Sequence, residues 1–339
     1  MSATINRGQP YQGLRPIIME NQLLRVELFP EAGAKIYHFI YKPFGHDFMW
    51  HNPKVDLQAV TLGQSYDDNF SGGWDELFPN DAPGVFQGRT LADHGELWCR
   101  PWEYQVLQHG PQEVEIYLRL RGTTVSALLE RWITLKAGQA RLFFRHRITN
   151  TGSDSLNFLW KLHPALAVNE NCRVDVPGRQ GEFVDSTWSR LEDPHLTFDW
   201  PLAKNRSGQT ADLSQVLPFA SGKNDFVYVN DLREGWCAMT DTAREVGFAL
   251  TFPKEVFPFV WLFMPAGGWR GIQTVILEPC NTCPKDLDVA WQRGAIGTLA
   301  PGEVLNCQTS ALAYAGVKRV TRIDQDGSVA DYDPAPGQG

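Results

Sequence analysis

The chain has 339 residues, 43% hydrophobic and 21% charged, the balance of a globular protein able to bury a full core. Its net charge of −8 argues against nucleic acid or an anionic membrane surface as partner, since both select basic patches. No apolar run approaches a membrane span, and Met1 to Gly13 lacks the apolar stretch of a signal peptide, so the expected compartment is the cytoplasm.

Residues 1–13 read as an N-terminal extension, 14–318 as one domain, and 319–339 as a C-terminal tail that is partly disordered, from Asp331 onward above all. Period-two alternation dominates the chain, and helical periodicity is hard to find. Leu24, Val26 and Leu28 alternate with Arg25 and Glu27. The cleanest case is Glu113 to Arg121, with Val114, Ile116, Leu118 and Leu120 on one face. Leu128 to Leu135 and Arg141 to Ile148 repeat the pattern, and Asn150-Thr151-Gly152 supplies a turn. Later candidates are 226–229, 246–252, 257–264, 273–277 and 304–314. The segment Asp199 to Pro218 is a long excursion without a readable role. Many strands joined by turns predict an all-β, antiparallel β-sandwich with under about a fifth of its residues helical.

The densest chemistry lies between Gly72 and Glu103. Trp74, Trp98 and Trp102 stand there among Asp75, Glu76, Asn80, Asp81, Asp93, His94 and Glu96. Aromatic faces mixed with short acceptors and an imidazole suit a small polyhydroxylated ligand: rings cover its C–H faces and polar groups fix its hydroxyls. This predicts that Trp74 and Trp98 line a pocket instead of plugging the core.

Among the eight histidines, His146 shares the apolar face of its strand with Leu142, Phe144 and Ile148 and reads as a core residue. His38, His46, His51, His109 and His195 have no sequence companions that suggest a site. His163 stands with Asn157 and Lys161 opposite Leu156, Phe158, Trp160 and Leu162, and Pro164 is expected to stop the ladder after it. Glu278 follows the apolar run Val275-Ile276-Leu277, and Pro279 is expected to end pairing there. A carboxylate emerging from a buried strand is partly desolvated and unusually basic. One carboxylate and two histidines on strand ends beside an aromatic loop make a general acid–base site.

The order His94-Gly95, Trp98, Pro101-Trp102, Leu162-His163-Pro164 and Leu277-Glu278-Pro279 resembles the aldose 1-epimerase (galactose mutarotase-like) family. Gly297 to Glu303 is similar to the last-strand signature of that family. The resemblance spans Leu14 to Ala315 and implies a sandwich of the supersandwich type with the sugar on its concave face. It implies catalytic roles for Glu278 as general base, His163 as the acid at the ring oxygen, and His94 as a hydrogen-bond partner on the ring-oxygen side. Asn224-Asp225-Phe226 resembles the segment whose aspartate contacts sugar hydroxyls. The substrate-binding set expected is thus Trp74, Asp75, Asn80, Glu96, Trp98, Lys161 and Asp225. Many relatives carry Asn-Arg where this chain reads Asn80-Asp81, so Arg89, Arg100 or Lys161 would replace that arginine.

The expected function is an isomerase of carbohydrate metabolism that interconverts the anomers of a hexose or modified hexose. The alternative is a non-catalytic carbohydrate-binding protein on the same scaffold. No cofactor or metal is expected. Cys280 and Cys283 form only half a zinc site, the other cysteines (Cys99, Cys172, Cys237, Cys307) are scattered, and the close histidine pair of a cupin-like centre is missing. The expected partner is a sugar alone, bound by a monomer or homodimer.

Overall fold

The computed structural model describes residues 2–331. They form two antiparallel sheets, one of 14 strands and one of 8, packed face to face. Alternation is what builds them. In Glu113–Arg121 the four apolar side chains Val114, Ile116, Leu118 and Leu120 are buried while the intervening ones face outward. Each such side chain, once fully buried, contributes on the order of 1.5–3 kcal/mol. The layer between the sheets is closed by aromatic contacts, with the Trp74 ring 5.1 Å from Phe144 and the Phe39 ring 5.3 Å from Phe248. The only α-helix among the described residues is Leu287–Gln292, capped by the Asp286 side chain on Val289 N–H. No helix there is long and apolar enough to cross a membrane.

Both ends of the described chain depart from the sequence reading. Thr4–Arg7, read as part of an extension, pairs with Ile17–Glu20 as the edge strand of the large sheet. Ile5 brings its side chain into the core there. Val320–Ile323 and Val329–Asp331 form a hairpin across an Asp324–Gly327 turn. Val320 is buried, and its N–H bonds the Asp175 carboxylate at 2.9 Å, which ties the hairpin to the sandwich. Residues 332–339 of the tail lie outside the described residues. The excursion near Asp199 to Pro218 extends the large sheet through three short strands, Thr197–Asp199, Leu202–Lys204 and Thr210–Asp212.

Two prolines were expected to end strands, and neither does. Lys161–Leu166 runs through Pro164, and Val275–Cys280 runs through Pro279. Their ladder pairs Lys161 with Cys280 and Ala165 with Ile276, then lapses between those pairs. Proline has no N–H to donate, so the two strands can lie side by side there without a full set of hydrogen bonds. Counting two residues inward from either pair places His163 opposite Glu278. His163 also lies opposite Asp75, Glu278 opposite Trp261, and Trp261 opposite Tyr228. One transverse row across five strands therefore carries the acidic and imidazole groups on a single sheet face.

Candidate active site

A cavity of about 240 Å³ opens on that face. Its floor is sheet: Lys161, His163, Ile276, Glu278, Phe263, Phe226 and Asn224. Its walls are loop residues Tyr66, Asp67, Phe70, Asp81 and His94, with Asp185, Trp269 and Lys285 completing the lining. His94 adopts a left-handed backbone (φ 57°), followed by Gly95 (φ 71°). A Cβ on Gly95 would lie 2.1 Å from the Phe78 carbonyl oxygen, so only glycine passes there. The turn lays the His94 ring flat on Tyr66, centroids 4.0 Å apart and 11° from parallel.

Behind the cavity a polar chain fixes the imidazole of His163. The Lys35 ammonium bonds Asp75 at 2.9 Å, and Tyr66 donates its hydroxyl proton to the same Asp75 oxygen at 3.0 Å. Having given its proton to a carboxylate, the Tyr66 oxygen accepts from His163 Nδ1–H across 3.1 Å. That leaves Nε2 as a bare acceptor, 3.8 Å from the Glu278 carboxylate. His163 is buried, and burial together with the Lys161 charge pushes its pKa well below the ordinary imidazole range. Burial acts oppositely on Glu278, lifting it to about 7, although the Lys161 ammonium pulls it down. At neutral pH the site thus holds an imidazole that resists a proton beside a carboxyl group that half retains one.

Lys161 lies between two carboxylates, bonded to Glu278 and 2.5 Å from Asp81, with its ammonium 4.4 Å from the centre of the Trp261 ring. Burial alone would lower its pKa, but Asp81 and Glu278 outweigh that and raise it. Asp81 in turn is held below the usual carboxylate range, the lysine and His94 overcoming its desolvation. On its far side His94 bonds Asp93 at 2.8 Å. Of the three cations offered as replacements for the absent arginine, only Lys161 reaches the cavity. Arg100 is bonded to Glu96, and Arg89 lies outside.

His94, His163, Glu278 and Lys161 come together as the sequence reading expected. The remaining predicted contacts do not reach the cavity. Trp74 lies in a true strand, Trp74–Leu77, whose parity turns its ring into the layer between the sheets. Trp98 sits edge-on behind Tyr66 at 4.9 Å and is buried. Both are plugs, against expectation. Asp75 faces the right way but is covered by Tyr66 and neutralised by Lys35. Asn80 ties its own loop by bonding the carbonyls of Ala82 and Ala92. Asp225 is one residue out of phase. Its neighbours Asn224 and Phe226 line the cavity, while its own carboxylate, buried on the other face, holds Arg190 at 2.6 Å.

Glu96 is wholly buried and accepts from Arg100 Nη1, Thr123 N, Thr123 Oγ1 and Thr124 N at 2.8–3.0 Å. It pins the loop that ends at the 121–127 turn. Glu96→Ala is expected to lower stability by about 3–5 kcal/mol, the usual loss when one partner of a buried ionic network is removed. Urea unfolding and sugar titration of the folded fraction check this. Reduced affinity at unchanged stability would place Glu96 on the ligand after all.

The sequence missed Tyr66, Asp67, Phe70, Asp185, Phe263, Trp269 and Lys285. Phe226 and Phe263 were within reach, because they share strand parity with Asn224 and Trp261. Tyr66 gave no sign, since its loop has neither period nor motif. The Cys280 and Cys283 thiols are buried, which raises both above the ordinary thiol range and disfavours the thiolate a metal would need.

No family model matches the sequence, and no curated protein matches it. Solved structures do. A galactose mutarotase-like protein from Clostridium acetobutylicum superposes with a TM-score of 0.65 at 13% identity, covering 93% of this chain and 99% of that one. A galactose mutarotase related enzyme from Lactobacillus acidophilus gives 0.61 at 16% identity, covering 88% and 97%. A protein of Synechocystis sp. PCC 6803 gives 0.64 at 16% identity, covering 91% and 97%. At such identities the likeness speaks for architecture, and it agrees with the resemblance read from the motifs. The chain has the galactose mutarotase-like fold: an all-β antiparallel sandwich.

Proposed function

We propose that the protein is an aldose 1-epimerase, interconverting the α and β anomers of a hexose or modified hexose. The observation that carries this reading is the His163–Glu278 pair, facing across an interrupted ladder inside a cavity with aromatic walls. A volume of about 240 Å³ is below the roughly 300–1,000 Å³ of drug-sized sites and suits one small ring. Phe70, Phe226, Phe263 and Trp269 offer apolar faces to its C–H groups.

The pair shares one labile proton, which burial and charge place on Glu278 in the empty site. With a sugar bound, Glu278 gives that proton to the ring oxygen while His163 Nε2 takes the proton of the anomeric hydroxyl. The C1–O5 bond breaks and C1 becomes an aldehyde. After rotation about C1–C2, the 5-hydroxyl attacks the other face. Its proton returns to Glu278, and the imidazolium reprotonates the new anomeric oxygen. Atoms and charges balance without a cofactor. The expected assignment, Glu278 as base and His163 as acid, is the same cycle entered from the other tautomer of the pair. Lys161 steadies whichever charge Glu278 carries, and His94 orients the sugar.

The test is NMR exchange between anomers over a panel of neutral, phosphorylated, sulfonated and amino sugars. At least one sugar is expected to show saturation transfer well above the uncatalysed rate. Saturable binding with no enhanced exchange for any bound sugar would instead mark a carbohydrate-binding protein.

A further inference from the structure

We propose that His38, Asp47 and His51 form a binding site for a divalent metal ion of the zinc class, separate from the cavity. They are far from a metal motif in sequence, yet the fold gathers them, and none of them lines the cavity. One ligand atom from each lies within 4.8 Å of the other two. Asp47 Oδ2 is 2.5 Å from His38 Nδ1 and 3.9 Å from His51 Nε2. Asp47 is pre-aimed, because its other oxygen accepts from Phe39 N–H at 3.0 Å and Met49 N–H at 3.1 Å. His51 is held by stacking on Tyr37, and its Nε2 donates to the Tyr37 carbonyl at 2.7 Å. That carbonyl adds a fourth oxygen beside the three side chains. All three side chains are about one-quarter to one-third exposed (30%, 25% and 32%), which leaves the ion a way in.

Zinc holds nitrogen at about 2.0–2.1 Å and carboxylate oxygen at about 2.0–2.2 Å, so tetrahedral ligand atoms sit roughly 3.4 Å apart. The short contact must open and the long one close, each by about an ångström or less, which side-chain torsions supply. Two imidazoles and one carboxylate suit zinc and its neighbours in the first transition row. The ion would clamp the root of the loop that carries Tyr66 and Phe70. His51 bridges to Gly72, and Asn52 bonds both Ser71 O and Phe70 O, so the two ends of that loop meet beside the site.

The experiment is calorimetric titration of the chelator-treated full chain with zinc, with cobalt(II) absorption as the signature of the ligand set. One ion per chain at micromolar affinity or tighter is expected, with a raised Tm. His51→Gln keeps an amide donor for the Tyr37 carbonyl, and Asp47→Asn keeps the oxygen that receives Phe39 and Met49. Each should weaken zinc by at least about 10–100-fold, the loss seen even for outer-shell partners, and remove the cobalt bands while circular dichroism stays unchanged. No saturable binding, or binding that both variants leave unchanged, would overturn the site.

Discussion

Glu278→Gln is expected to lose about 10²–10⁴-fold in kcat with little change in sugar affinity, because it removes the proton carrier and keeps shape and hydrogen bonding. Glu278 is 1% exposed and 3.8 Å from His163 Nε2, and no other carboxyl group lies opposite that nitrogen on the neighbouring strand. His163→Asn should fall alike, and the double variant should be little worse than either single one, since the two residues pass one proton as a unit. His94→Asn should weaken binding as well, through loss of the ring stacked on Tyr66. Kinetics on an accepted sugar decide the matter. Near-wild-type exchange in Glu278→Gln would remove the catalytic reading altogether.

Lys161→Met should move the activity profile to higher pH and destabilise the fold. In the wild type the active pair holds one proton, so kcat/KM should fall as pH rises through about 7, where Glu278 loses it. Lys161 holds both Glu278 and His163 down. Its removal lets both rise, and both limbs of the profile shift upward. Stability follows the same signs. The folded-state pKa of Glu278 stands above its model value of 4.5, so the stability linked to its protonation is complete below that value and is lost as pH rises through about 7. Without the lysine, Asp81 and Glu278 face each other unpaired. The expected loss is about 3–5 kcal/mol on the alkaline side, where both are charged, and less near about pH 5, where Glu278 is protonated. Urea midpoints and pH–rate profiles of the variant test this. A profile with unmoved inflections would show that the lysine does not control the pair.

The strands were legible because burial imposes a period of two on any sheet that faces a core. Glu113–Arg121 therefore appears at its predicted bounds. Parity also explains the near misses. Asp225 and Trp74 are each one residue from a position facing the cavity, and a single-residue step reverses the face of a strand. The four residues most concerned with chemistry carried local signals, being His94 before a glycine, and Lys161, His163 and Glu278 beside prolines. Those prolines looked like strand ends, because a lone strand offers no way to see that two N–H-free residues can lie across from one another in mid-sheet. The pairing of His163 with Glu278, the carboxylates on either side of Lys161, the Tyr66 relay and the His38–Asp47–His51 cluster all join residues from separate elements. Which element lies beside which is settled by how two whole sheets pack and register. Burial pattern constrains the face of each strand, whereas contact between distant strands depends on the summed fit of the core, and only the folded chain expresses that sum.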